Sequence, residues 1–298
     1  MARLVVVGAT GQLARALQFV TLPPGFDLCV LGRDRLDLAD RASIPTAIDA
    51  ARPDVVINAA AYTAVDRAET ESRAAFAINA VGVGALAAAA WAHRAPFLHV
   101  STDYVFDGAG ERPWREDDPV GPLNLYGASK LAGEIAALGA NPRTTIIRTS
   151  WVFSSTGSNF VRTMLRLAKS RDVLQIVDDQ RGRPTGAADL AMALVACLAP
   201  LSAGELAGEI LHVSNAGPVV SWCGFAEAIF AAAAAAARGG RRPTLVPIPT
   251  EAYPTPARRP RNSALDITRF EAKLGHRPAS WPDALARVVQ ELAALGEI

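Results

Sequence analysis

Cysteine is scarce. Cys29, Cys197 and Cys223 are the three in a chain of 298 residues, far apart and each set among apolar neighbours. An odd, scattered set offers neither a disulfide framework nor a CxxC or Cys/His zinc spacing; three buried thiols in a reducing compartment are expected. A charge of one sign is missing too. Thirty Lys and Arg against 29 Asp and Glu leave +1, so no global field draws the chain to nucleic acid or to an anionic membrane. Long hydrophobic runs are absent. After Arg3 the run of residues 4–7 stops at Gly8, too short for a signal-peptide core. No run exceeds ten residues, the length of that at 228–237, about half of the roughly 20 that a membrane helix needs. These absences predict a cytoplasmic protein without a nucleic-acid or membrane partner. What is present is an ordinary globular composition, 50% hydrophobic and 20% charged, with ample chain for one or two domains.

The first half alternates short β-branched runs (residues 4–7, 28–31, 55–57, 97–100 and 145–147) with Ala- and Leu-rich stretches (12–20, 43–51, 72–93 and 126–138). Continuous apolar runs suit strands covered on both faces. Strand–helix alternation predicts βαβ units and an α/β fold, a doubly wound parallel sheet. Ser43 is a candidate cap for the second helix, with Pro45 in its first turn, and Arg52-Pro53 ends it. After about residue 150 proline and arginine become frequent. Helical patterns persist at 159–169, 187–198, 222–238 and 282–295, while strands thin out. The expected organisation is a nucleotide-binding domain over 1–149, with the chain returning to it near 178–213. A smaller, mostly helical lobe occupies 150–298.

Gly8-Ala9-Thr10-Gly11-Gln12-Leu13-Ala14 follows the first strand and opens the first helix, the place where a glycine-rich turn cradles a dinucleotide pyrophosphate. Gly8 allows the tight turn, Gly11 lets backbone approach the ligand, and small Ala14 lets helix pack on strand. At the end of the second strand, a carboxylate ligates an adenosine ribose and marks NAD, whereas an arginine suits a 2′-phosphate. Arg33 stands nearest the strand end, which predicts NADPH with NADH as the alternative; Asp37 and Leu38 would border the adenine. Asn58-Ala59-Ala60-Ala61 supplies small side chains beside which a cofactor can lie.

Ser101-Thr102-Asp103 ends the fourth strand, and Tyr126 and Lys130 lie four apart beyond it, on one helical face. A lysine ammonium beside a phenol favours the phenolate and lowers a pKa that starts near ~10. Such a tyrosine can hand a proton to a carbonyl oxygen, and the lysine can reach ribose hydroxyls. Thr102 lies where open α/β sheets place their ligands. Thr102, Tyr126 and Lys130 are therefore the candidate catalytic residues. His99, within the fourth strand, reads as a satisfied core residue.

These motifs carry a resemblance. GATGQLA (8–14), RPDVVINAAAYTAVDRAE (52–69), INA (78–80), STDYVFDG (101–108), PLNLYGASKLAGE (122–134), RTSWVF (148–153), NFVRTMLRLA (159–168), DQRGRPT (179–185) and AYPTPARRPRNSAL (252–265) resemble the extended short-chain dehydrogenase/reductases. Among these they look most like the dTDP-4-dehydrorhamnose reductase family. The resemblance implies a Rossmann-type fold and NADPH-dependent reduction of a dTDP-linked 4-keto sugar, with Tyr126 as proton donor. It implies cofactor contacts from Gly8, Gly11, Gln12, Leu13, Arg33, Asp37, Leu38, Ala59, Ala60, Ala61, Thr63, Tyr126 and Lys130. It implies substrate contacts from Val65, Thr102, Asp103, Tyr104, Trp151, Asn159 and Arg258, the last as a guanidinium fork for the diphosphate.

Two departures sharpen these expectations. The related 4,6-dehydratases typically carry Thr-Asp-Glu at the strand-four end, and here the third residue is Tyr104, so a one-step reduction fits better than elimination of water. Some members of the family hold a magnesium at a dimer interface through carboxylates at places that look like Ala16 and Ala188. Alanine cannot ligate a hard cation, which predicts no such metal and a monomer or weak homodimer. Two rivals stay open: a reductase of another nucleotide-linked keto sugar, and a non-catalytic relative that resembles the regulatory subunit of methionine adenosyltransferase.

Overall fold

The computed structural model describes residues 1–236 and 242–298; the end of the helix expected over 222–238, and of the run 228–237, lies outside the described residues. Six parallel strands make the central sheet: β1 (Ala2–Val7), β2 (Phe26–Leu31), β3 (Val55–Asn58), β4 (Phe97–Thr102), β5 (Thr144–Thr149) and β6 (Ile210–His212). Their order across the sheet is β6-β5-β4-β3-β1-β2. The order reverses between β1 and β3, so a crevice opens there at the carboxyl ends of the strands.

The period of two in β1 shows why its run is continuously apolar. Leu4 and Val6 face one core, with Leu13 and Leu17 of α1 (Gln12–Phe19) and Leu190 and Leu194. Val5 and Val7 face the other, with Ile44 and Ile48 of α2 (Ser43–Ala51), Leu86 and Ala87 of α3 (Ser72–Ala92) and Ala137 of α4 (Leu125–Ala140). By length and composition α3 could cross a membrane; here Val83, Leu86, Ala87, Ala89 and Ala90 are buried in packing against α2 and α4, while Val81 stays exposed. Its middle, Ala77–Gly82, is a π-helical segment. There Asn79 accepts from Tyr62 N–H (2.8 Å) and donates to Tyr62 C=O (3.0 Å) and Ser129 Oγ (2.9 Å), tying the loop after β3 to α4.

The second lobe packs α5 (Phe160–Ala168), α7 (Trp222–Ala236) and α8 (Trp281–Ala294) around a core of its own, while α6 (Ala187–Ala196) lies on the sheet. It also holds a parallel pair of strands absent from the sequence reading, Val173–Val177 with Thr244–Ile248. Their burial alternates or is slight, and Pro247 interrupts the second, so neither shows the continuous apolar run of a covered strand. Local punctuation differs as well. Ser43 does not cap α2: Ala42 takes that place, and Ser43 Oγ donates to Asp40 C=O at 2.9 Å. Arg52 ends α2 in the left-handed region, φ 49°, not in the extended one that usually precedes proline.

Candidate active site

The crevice is a cleft of about 550 Å³ between the glycine turn, the ends of β3, β4 and β5, and the second lobe. Gly8 has φ 105°, and a Cβ there would press on Ala60 N at 3.2 Å and Ala59 C at 3.3 Å; only glycine lets the turn pass so close to the end of β3. Gly11 then caps α1 with no side-chain acceptor and with open space around it. The first N–H groups of α1 are thereby left to the cleft, a partial positive charge suited to a pyrophosphate. Ala14 is buried beneath. Gly11, Gln12, Leu13, Ala59, Ala60, Ala61 and Thr63 line the cleft.

The side chain of Gln12 has a further use. Its Oε1 accepts from Ser154 Oγ (2.9 Å) and Asn159 Nδ2 (2.8 Å), and its Nε2 donates to Val152 C=O (3.4 Å). It therefore fastens the glycine turn to the second lobe. Arg33 is 79% exposed and pairs with Asp37 at 3.1 Å, both beyond the cleft lining. Leu38, expected beside the adenine, lies outside the cleft lining. It is 4% exposed, in the core with Ile44 and Ile48.

Thr102, Tyr126 and Lys130 meet in the cleft as expected from their spacing. Thr102 ends β4, donates to Asp103 Oδ1 (3.1 Å) and accepts from Tyr104 N–H (3.3 Å). The start of α4 is set by Asn124, whose Oδ1 accepts from Gly127 N–H at 2.8 Å, and by Glu69, which accepts from Leu125 N–H at 2.8 Å. The ring of Tyr126 lies edge-on to Tyr104, with centroids 5.6 Å apart. Contrary to the sequence expectation, Tyr126 is not driven toward phenolate. Burial pushes it up to about 12, with the Thr102 hydroxyl pulling the other way. Lys130 is itself shifted: burial brings it down to about 8, against the field of Glu134. Its Nζ turns toward β4, donating to Val100 C=O at 2.7 Å and meeting His99 Nε2 at 3.2 Å. Burial also raises Asp103, to about 7, opposed by hydroxyl contacts including Thr102.

On the substrate side, Val65, Asp103, Tyr104 and Trp151 line the cleft. Trp151 adopts φ 49° and stacks face to face on Trp222, centroids 3.5 Å apart. A second cavity of about 570 Å³ lies on the Trp222 side of this stacked wall, bounded also by Gln180, Tyr253, Thr255 and Arg259. Two expectations fail. Asn159 does not face the cleft: its Oδ1 caps α5 by accepting from Arg162 N–H (3.1 Å), while its Nδ2 bonds Gln12. Arg258 is exposed, and what it contributes is a backbone C=O that accepts from Asn124 Nδ2 at 2.7 Å. The neighbouring Arg259 faces the second cavity instead and pairs with Asp66 at 2.8 Å. An extended tail turns successive side chains apart, so a one-residue error of facing cannot be seen in the sequence. His99 is the satisfied core residue the sequence suggested: it is fully buried, and its ring nitrogens meet Asn58 Nδ2 at 3.1 Å and Lys130 Nζ at 3.2 Å.

Ala188 is exposed, and Asp189 beside it turns inward to Arg287, at 2.6 and 2.8 Å. Among the described residues no group of three or more His, Cys, Asp or Glu is placed to hold a metal. Cys197 and Cys223 are buried, whereas Cys29 is only half-buried, and none is paired.

A family model described as the RmlD substrate binding domain matches residues 2–294. The chain is similar to the dTDP-4-dehydrorhamnose reductase of Sinorhizobium fredii, 44% identical over 298 residues and 99% of each chain. Among solved structures it is similar to the dTDP-4-dehydrorhamnose reductase from Clostridium acetobutylicum, with a TM-score of 0.90 and 35% identity, over 98% of this chain and 99% of that one. It is also similar to the enzyme of that name from Bacillus anthracis solved in complex with NADP, with a TM-score of 0.89 and 35% identity, over 98% and 100% of the two chains. With the family model matched across residues 2–294 and identity of 44% along the full length, the chain belongs to the RmlD substrate binding domain family, that of the dTDP-4-dehydrorhamnose reductases.

Proposed function

We propose that the protein reduces dTDP-4-dehydro-L-rhamnose at C4 to dTDP-L-rhamnose, with NADPH as reductant and Tyr126 as proton donor. The observation that carries this reading is the meeting of Thr102, Tyr126 and Lys130 in one cleft with the uncapped N-terminus of α1. The residues fit a dinucleotide: open space at Gly11, bare N–H groups, and small side chains at Ala59–Ala61. NADPH, when bound, supplies the hydride that adds to C4. Tyr126, a phenol held protonated by burial, gives its proton to the C4 oxygen as charge develops there. Thr102 and Asp103 orient that oxygen, Lys130 holds the ribose, and Trp151 packs on the sugar. Arg33, exposed beside Asp37, is free to swing onto a 2′-phosphate, and NADH is the weaker alternative. Arg259, not Arg258, is the guanidinium for the diphosphate. Residues 1–149 carry the cofactor and 150–298 most of the sugar nucleotide, in a cytoplasmic monomer or weak homodimer.

The test supplies purified protein with dTDP-4-dehydro-L-rhamnose and follows loss of NADPH absorbance. Rapid oxidation with dTDP-L-rhamnose as the sole sugar product is expected. NADPH binding without turnover of this substrate, but with turnover of another nucleotide-linked keto sugar, overturns the substrate assignment. Binding without turnover of any keto sugar overturns the catalytic one.

A further inference from the structure

Among the described residues three besides glycine take a positive φ, and Trp151, at 49°, is the one of these that lines the cleft. A bulky side chain persists in the left-handed region only where its surroundings over-determine it, and such strain gathers at functional sites. Three contacts hold Trp151. Its C=O accepts from Thr185 N–H at 3.1 Å. The Trp222 indole lies parallel to its own, centroids 3.5 Å apart and planes within 8°. The third contact is Gly182.

A Cβ on Gly182 would stand 2.8 Å from Trp151 Cε2, 3.0 Å from Cζ2 and 3.1 Å from Nε1. Cε2 is bonded to both of the others. A point nearer to it than to either neighbour stands over the ring, not beyond its rim. Trp222 is centred on one face of the indole, so Gly182 lies against the other. Gly182 takes no positive φ; what its glycine supplies is clearance for the ring. Both sides of this clamp belong to one strand pair. Gly182 pairs with Val220 and Arg181 with Ser221, and Trp222 N–H donates to Gln180 C=O at 3.3 Å. Phe160 braces Trp222 in turn, centroids 4.6 Å apart. The gap is therefore set by the backbone, and it is one indole wide.

An indole with both faces covered offers a ligand only its rim. Aromatic faces are negative and edges positive, so the rim suits oxygen atoms and not the apolar C–H face of a sugar. We infer that Trp151 meets the sugar edge-on, against its oxygens, and that Trp222 and Gly182 are positioning residues that hold it so. This deepens the reductase reading and rests on it for the identity of the sugar. Trp222 borders the second cavity and not the cleft, so it acts on the sugar through Trp151. A rim contact is directional, and it reads where the oxygens of a sugar point.

The experiment uses the full-length protein, whose five tryptophans keep its indole ¹H–¹⁵N spectrum simple. The Trp151 signal is identified by its loss in Trp151→Phe. Without ligand, the ring current of Trp222 should shift that signal upfield, and Trp222→Leu should return it toward free indole. Gly182→Ala, whose methyl presses on the other face, should displace it as well. A signal at the free-indole position in the unaltered protein overturns the clamp, whether or not the variants fold. So does a signal that neither folded variant moves. Adding dTDP-L-rhamnose should leave the upfield shift in place; its loss would mean that the stack opens to take the sugar on a face, and would overturn the edge-on contact. In reduction of the keto sugar, Trp222→Leu should raise KM about three- to tenfold, the cost of ordering one released side chain, and should add nothing in Trp151→Ala. Additive effects would put Trp222 on the substrate itself and overturn its positioning role. Failure of the protein to reduce the keto sugar would overturn the reductase reading and leave the ligand-free spectra standing.

Discussion

A buried phenol with its pKa pushed up to about 12 is a poor base at neutral pH and is fully loaded as an acid, the state a reductase needs at the start of a turnover. Tyr126→Phe removes that proton and little else. It should lower kcat/KM by about 10²- to 10⁴-fold while NADPH binding, followed by fluorescence, is kept; equal loss of both would assign Tyr126 to binding. Asp103 makes a stability prediction. Its folded pKa, about 7, lies above the unfolded carboxylate value, so the native state binds more protons between the two. Stability from this group is present below the unfolded pKa and is lost as pH rises through about 7. Asp103→Asn stays neutral throughout. Thermal melts at pH ~5 and ~8 should therefore show the variant gaining relative to the unaltered protein at the higher pH. A constant difference would mean that Asp103 ionises as freely in the fold as out of it.

Helix α4 brings two catalytic side chains to the cleft, and its placement depends on a residue without one. A Cβ at Gly127 would lie 2.2 Å from Tyr104 C=O, a backbone atom that cannot yield. Gly127→Ala should therefore lift the first turn of α4 and carry Tyr126 with it. The expected result is a drop in kcat of at least ~10²-fold, since about an ångström of misplacement has that effect, with a lowered melting temperature; unchanged kcat would show that the turn tolerates the shift. This separates what the sequence revealed from what it hid. The glycine turn, the strand-end Thr102 and the Tyr126–Lys130 spacing are legible because each uses neighbours within one turn or one strand end. The βαβ alternation is legible because covered strands must be continuously apolar. His99 was legible as a satisfied core residue, but its partners were hidden, because Asn58 and Lys130 come from β3 and from α4, 41 and 31 positions away. The pair Val173–Val177 and Thr244–Ile248 was hidden because strands this exposed lack the continuous apolar signal.

The cleft is a property of the assembled molecule. One wall is the sheet end and the other is the segment after β5, and Gln12 joins them. It reaches from the first turn of α1 to Ser154 and Asn159, 142 and 147 positions on, a contact invisible to any local pattern. Because Asn159 also caps α5, the glycine turn and the first helix of the second lobe are held by one amide-to-amide contact. Gln12→Ala loses the contact and keeps the cap, whereas Asn159→Ala loses both. A double-mutant cycle separates the two contributions. Asn159→Ala should cost about 1 kcal/mol for the cap, and the two changes together should cost less than their sum by about 0.5–1.5 kcal/mol, the net worth of one hydrogen bond. The same coupling should appear in function. Gln12→Ala should raise KM for the sugar nucleotide more than it lowers kcat, because a looser second lobe positions the substrate poorly while Tyr126, Thr102 and Lys130 stay on the sheet side. Additive stabilities with an unchanged KM would show that the lobes keep their spacing without Gln12, and that the stacked Trp151–Trp222 wall and the strand pairing of Val152–Phe153 with Thr185–Gly186 suffice.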